Sequence, residues 1–234
     1  VTAPARAFDA VILAGGRGTR LGGADKPGLV VGQQTLLGSV VSAVISAGAA
    51  RVVVVGPQRP AALRPGTGGP GTGGPGTGGP GTGGPGTGGS RVRYAREDPP
   101  GCGPVAALGS GLAEVSAPSV VLAAADLPFL RPAHVTRLVA GLVGQDVPGV
   151  VLLDAAGRPQ WLVSCWPSAL LRSALDRYPG SSLRGLLGPL DPVLLPDATA
   201  AGEPPPWLDC DTADDLSLAR DWAARAGIEQ EAAP

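Results

Sequence analysis

Short apolar runs alternate with amphipathic stretches through the first 143 residues. Residues 10–14 are an unbroken apolar run of strand length. From Thr35 to about Gly48, Leu36, Leu37, Val40, Val41, Val44 and Ile45 recur at helical spacing, and Thr35 stands where a hydroxyl caps a first turn. Residues 52–55 and 92–95 read as the second and third strands. Pro104 opens a helix to about Val115, at the first position, where a missing N–H costs nothing. Residues 119–125 form a strand that runs into Asp126, and 132–143 a helix. Beyond them the pattern predicts strands at 150–153 and 160–165, paired across a turn at 154–158. It also predicts helices at 168–178 and 181–187, a short strand at 193–195, and a last helix at 212–226. Thr212 caps that helix, with Asp215 three residues on.

This alternation predicts an α/β fold: a Rossmann-like, mostly parallel sheet with helices on both faces. In such sheets ligands sit at the carboxyl ends of the strands, so the informative residues should follow the strands.

Composition changes one part of this picture. Of 234 residues, 38 are Gly and 26 Pro, but residues 65–89 read PGTGG five times over. That segment has no apolar side chain with which to pack. It is expected to be a disordered, mobile insertion between the second and third strands, with ends roughly 25–30 Å apart. The remainder suits a single domain across 1–234. A formal net charge of −1 argues against extended nucleic-acid binding. The cysteines (Cys102, Cys165, Cys210) are odd in number and far apart, and His134 is the sole histidine. A disulfide framework or zinc site is not expected, and a reduced cytoplasmic compartment is. Residues 36–56 carry one charge, Arg51, but Gly48 and Arg51 split them into a helix and a strand, so no membrane span is expected. The first apolar run is too short for a secretory signal.

The first strand runs into a loop with Gly15, Gly16, Gly18, Gly22 and Gly23, flanked by Arg17, Arg20 and Lys26, the sole lysine. Glycines let backbone N–H groups approach phosphate, and three cations in ten residues would neutralise a triphosphate. No P-loop is present, and a dinucleotide fingerprint started at Gly16 fails at Leu21. The glycines alone also suit a flexible loop with solvated arginines.

The whole string is more specific. It resembles the L-A-G-G-x-x-x-R-[ML]-G-G-x-D-K signature of nucleotidyltransferases, in particular the molybdenum cofactor guanylyltransferase family. Leu13, Ala14, Gly15, Gly16, Arg20, Leu21, Gly22, Gly23, Asp25 and Lys26 match. The resemblance covers nearly the entire chain except the repeat. It implies a Rossmann-like nucleotidyltransferase in which Leu13, Ala14, Gly15 and Gly16 contact the nucleotide and Lys26 the phosphates. Asp126-Leu127-Pro128 resembles the family's C-D-x-P, with Ala125 for Cys, and implies Mg²⁺ on Asp126. Residues 209–216 resemble N-x-N-T-P-E-[ED]-L, with Asp209 and Asp211 for both Asn. Asp209 is the first choice of second metal neighbour and Asp211 the other; capping of the last helix by Asp211 or Thr212 is the bland alternative. Residues 96–108 resemble D…G-P-L-A-G, making Asp98 a nucleotide contact, with Glu97 competing for the role. Residues 159–162 and 181–187 resemble segments on the acceptor side.

The activity so implied is Mg²⁺-dependent transfer of GMP from GTP to a molybdopterin-type acceptor, with release of pyrophosphate. Arg20, Lys26 and Asp126 would be catalytic, and molybdoenzymes or cofactor-insertion proteins would be partners. A phosphate acceptor is already a nucleophile, so no general base is needed. The alternatives are a cytidylyltransferase, a transferase acting on another small phosphate, and a degenerate nucleotide-binding domain. The family has Asn after the second strand, near the base, and this chain has Gly56-Pro57 there and no Asn.

Overall fold

Strands buried on both faces need apolar residues at successive positions, and the runs in this chain meet that requirement. The computed structural model describes residues 7–15, 25–59, 63, 91–142, 147–196, 198–200 and 202–231, the last six as backbone. Its elements are β1 (Phe8–Leu13), β2 (Val30–Val31), β3 (Gln34–Thr35), α1 (Leu36–Ser46), β4 (Val52–Val55), β5 (Val92–Ala95), α2 (Pro104–Ala113) and β6 (Ser119–Ala124). They continue with α3 (Pro132–Leu142), β7 (Val150–Leu153), β8 (Pro159–Pro167), α4 (Ser168–Arg177), α5 (Leu183–Leu187), β9 (Val193–Leu195) and α6 (Ala213–Glu231).

Among the described residues seven strands form one sheet in the order β5-β4-β1-β6-β8-β7-β9, and β2 and β3 form a separate hairpin. Within the sheet only β8 runs against its neighbours. Alternate side chains feed two cores. Ala10, Ile12, Val52, Val54 and Val121 pack with α1 and α3 on one face. Val11, Val53, Val55, Val120 and Leu122 pack with α2, α4 and α5 on the other. The fold is therefore α/β and Rossmann-like, with a mostly parallel sheet and helices on both faces. Gly111 lets α2 lie close to the sheet: a Cβ there would come within 2.6 Å of Val11 Cγ1.

The caps form as the sequence predicts. Thr35 Oγ1 accepts from Gly38 N–H at 3.0 Å. Thr212 and Asp215 form a reciprocal box, with Asp215 N–H donating to Thr212 Oγ1 at 3.2 Å and Thr212 N–H to Asp215 Oδ2 at 2.8 Å. Three features differ from the sequence reading. The β2–β3 hairpin was not foreseen, because two residues per strand are too few to carry a period. The helix α6 continues to Glu231, past the expected end at 226. The strand β8 is longer than expected, and its pairing with β7 jumps from Ser164 to Gln160 while Val163 still pairs with β6. The repeat at 65–89 lies outside the described residues, as do Gly16, Arg17 and Arg20. Among the described residues no helix is long and apolar enough to cross a membrane.

A third small core fixes the chain's later segment beside its beginning. Val31, Leu36, Cys210, Leu216 and Ala219 pack together, and Arg220 Nε donates to Val30 O at 3.1 Å. This brings residues 209–212 to the turn that follows the glycine loop.

Candidate active site

The exits of four adjacent strands are stitched together at the carboxyl end of the sheet. Ala14 N–H donates to Val55 O, Ala125 N–H to Leu13 O, and Gly56 N–H to Ala95 O, at 2.8, 3.0 and 2.9 Å. Gly56 has φ +149°, and a Cβ there would sit 2.9 Å from Ala14 O, so the crossing at β1 requires glycine. Above these exits lies a cleft of about 720 Å³, lined among others by Leu13, Ala14, Gly15, Lys26, Glu97, Asp126 and Asp211.

Lys26 begins a single 3₁₀ turn, Lys26–Gly28, held by Gly28 N–H to Asp25 O at 2.9 Å and Leu29 N–H to Lys26 O at 3.1 Å. Pro27 is buried and anchors the turn. Lys26 Nζ donates to Asp126 Oδ2 and to Asp211 Oδ1. Burial opposes the ammonium charge, but the hydrogen bonds and charges of the two aspartates outweigh it and hold the Lys26 pKa above its ordinary value. Asp209 is exposed yet stands over the same acidic group. Desolvation by the surrounding protein, then repulsion from Asp211 and Asp126, push its carboxyl above the ordinary range, with Lys26 opposing. Between these aspartates Cys210 is buried, and desolvation first of all pushes its thiol to about 12, so it packs rather than reacts.

Asp126 Oδ1 is buried and has no hydrogen-bond partner among the described residues. An orphaned carboxylate oxygen is costly unless a ligand completes it. Among the described residues no three acidic, thiol or imidazole groups converge to cage an ion unaided. Magnesium seldom asks for such a cage: one or two carboxylates with substrate phosphates and water are its usual shell. The donor set of Asp126 with Asp209 or Asp211 suits that hard cation.

Of the residues singled out in the sequence, Leu13, Ala14, Gly15, Lys26 and Asp126 share the cleft. Gly16 and Arg20 lie outside the described residues. Asp98 is exposed and is not part of the cleft lining, whereas Glu97 is. Glu97 Oε1 accepts from Gly101 N–H at 2.8 Å and would lie 4.0 Å from a Cβ on Gly15. Asp211 rather than Asp209 holds Lys26. Of residues 159–162, Leu162 lines the cleft, while the Gln160 amide donates to Asp154 Oδ2 at 3.0 Å and serves the hairpin. In the 181–187 segment Ser182 caps α5, its Oγ accepting from Gly185 N–H at 3.0 Å. Arg59 also lines the cleft, and the sequence reading missed it. Its one available signal was its place three residues after the end-of-strand Gly56.

A glycine-walled cleft across parallel strand ends, with a lysine and carboxylates on its floor, is the architecture of a nucleotidyltransferase. Residues 10–193 match the family model of the MobA-like NTP transferase domain, and the chain belongs to that family. It is a nucleotidyltransferase. Among solved structures it is similar to a nucleotidyl transferase from Methanothermobacter thermautotroptrophicus. That likeness has 22% identity and TM-score 0.67, over 94% of this chain and 99% of the other. It is also similar to molybdopterin-guanine dinucleotide biosynthesis protein A from Archaeoglobus fulgidus (19%, TM-score 0.64, over 93% and 99%). A third likeness is to 2-C-methyl-D-erythritol 4-phosphate cytidylyltransferase from Thermus thermophilus (20%, TM-score 0.57, over 93% and 99%). No curated protein sequence matches the chain.

Proposed function

We propose that this nucleotidyltransferase moves GMP from GTP to a molybdopterin-type acceptor with the help of Mg²⁺. The observation that carries the reading is the floor of the cleft: Lys26 between Asp126 and Asp211, with Asp126 Oδ1 buried and without a partner among the described residues. An oxygen of the acceptor phosphate attacks the α-phosphorus, and the bond to the bridging oxygen of the β-phosphate breaks. Pyrophosphate leaves with that electron pair, and no proton need be removed from the nucleophile. Mg²⁺ bound at Asp126 would supply a positive centre for phosphate oxygens. Lys26 trades a carboxylate for phosphate when the triphosphate arrives and meets the charge that develops on it. Arg20 is proposed for the same task. The backbone of Leu13, Ala14 and Gly15 gives the nucleotide a wall without side-chain obstruction, and Glu97 is proposed as the acidic contact in place of Asp98.

Guanine and the molybdopterin acceptor are supported by the signature string and by the likeness to the Archaeoglobus protein. A second reading, cytidylyl transfer, is favoured by Gly56-Pro57 where the guanylyltransferase pattern has Asn, and by the likeness to the Thermus enzyme. Three free thiols support the cytoplasm as its compartment. Pyrophosphate release from GTP, CTP, ATP and UTP, each with and without molybdenum cofactor, tests both readings. Release from GTP that depends on the cofactor is expected; preference for CTP would overturn the guanylyl assignment.

A further inference from the structure

The segment from Gly15 to Asp25 holds five glycines in eleven residues, and glycine is the residue that fixes its own backbone least. Lys26 follows directly. Something must fix where that lysine starts if its ammonium is to meet a phosphate within a fraction of an ångström. The structure holds a side chain placed to do so. Arg59, beyond β4, is 15% exposed and reaches both ends of the segment. Its Nε donates to Asp25 Oδ1 at 2.5 Å, and its Nη1 donates to Ala14 O at 3.3 Å and Pro57 O at 3.1 Å. On its other side Asp25 lies close over the backbone of Gly28, where an added Cβ would come within 3.0 Å of Asp25 Oδ2. One guanidinium thus joins the exit of β1, the exit of β4 and the residue that opens the 3₁₀ turn. A planar fork with separate donors suits three acceptors at once, and an ammonium at that place could not span them.

The geometry points to Arg59 as a positioning residue that sets Lys26 through Asp25. Arg59 acts on the reaction by fixing where the glycine segment ends. This rests on the reading of Lys26 as the phosphate-facing cation. It predicts that Arg59 and Asp25 work as one unit, and that loss of either costs turnover more than nucleotide affinity. A misplacement of about 1 Å at a charge-stabilising group can cost roughly 10²-fold in rate.

Lys26 is the only lysine, so reductive ¹³C-methylation of the full chain labels one side chain besides the α-amine. Arg59→Ala and Asp25→Asn should each move the Lys26 methyl resonance towards that of free dimethyl-lysine, and the double variant should move it no further. Each should lower kcat roughly 10²-fold with the nucleotide KM changed less than about threefold, and the double variant should match the singles. Arg59→Lys should recover only part of the loss. A Lys26 resonance unmoved in both single variants would overturn the proposal. So would a rise in KM alone in Arg59→Ala, which would mean that the guanidinium touches the nucleotide. Asp25→Asn keeps the test decisive if Arg59→Ala fails to fold. If the wild-type chain turns over no nucleoside triphosphate with any acceptor, the reading of Lys26 fails, and the resonance still decides whether Arg59 positions it.

Discussion

Two aspartates leave apolar strands at the same end of the sheet, Asp126 after β6 and Asp154 after β7, and they are opposite kinds of residue. The Asp154 side chain is 3% exposed. It accepts from the N–H groups of Ala156 and Arg158 at 2.9 Å each, from Arg158 Nε at 2.8 Å and from Gln160 Nε2 at 3.0 Å. All these donors lie within six residues. The backbone N–H of Arg158 first, then the Arg158 side chain and Ala156 N–H, hold its carboxyl below the ordinary range against the opposing effect of burial. Asp126 has its partner 100 residues away, and one oxygen has none among the described residues. A carboxylate whose donors are local and complete is a staple for its own turn. One whose partner is distant and whose second oxygen is bare is open to a ligand.

The comparison breaks most visibly at Asp126. Asp126→Ala should cut pyrophosphate release by roughly 10³-fold, which corresponds to about 4 kcal/mol of transition-state stabilisation. Wild-type-like turnover in a steady-state assay would reduce Asp126 to a second staple. Lys26→Met should lower kcat by roughly 10²-fold, as loss of one group facing developing charge does, and single-turnover kinetics would isolate that step. At Asp154 the signs reverse. Asp154→Asn should leave kcat nearly untouched and lower the melting temperature by roughly 2–4 °C. The Asp154 pKa is lower in the folded state than its ordinary value of 3.8. Its stabilisation is therefore complete above that value and lost as pH falls through the folded one. Thermal melts should thus show wild type and Asp154→Asn converging only below about pH 4. The smallest effect concerns residues 65–89. Their deletion should leave the melting temperature nearly unchanged and alter nucleotide affinity by no more than about twofold in Kd, a step of roughly 0.4 kcal/mol by calorimetry.

The strands were legible because parallel strands buried on both faces write themselves as apolar runs; β4 and β7 fall where the pattern places them. Helix starts were legible because Thr35, Pro104 and Thr212 act locally. What the pattern could not carry was long-range. Nothing in the order of residues 150–165 says that β8 inserts between β6 and β7, since sheet order is settled by packing of distant segments. In the cleft, Lys26 and Asp126 were readable through the signature string and the strand-end rule. The choice between Glu97 and Asp98, and between Asp209 and Asp211, was not. Neighbouring residues in a loop point different ways, and only the path of the backbone decides which enters. Arg59 was hidden because its role lies in three acceptors drawn from separate segments.

The single reversed strand has a consequence for how such a cleft can change. Of the strands that line the cleft, β1, β4, β5 and β6 present their ends to it. Running backwards, β8 presents its beginning instead, through Leu162, directly after the short turn stapled by Asp154. That turn can be lengthened, shortened or re-sequenced while β1, β4 and β6 keep their glycines, lysine and carboxylate. One wall of the cleft is thereby open to variation, by selection or by a protein engineer, while the phosphate floor stays as it is.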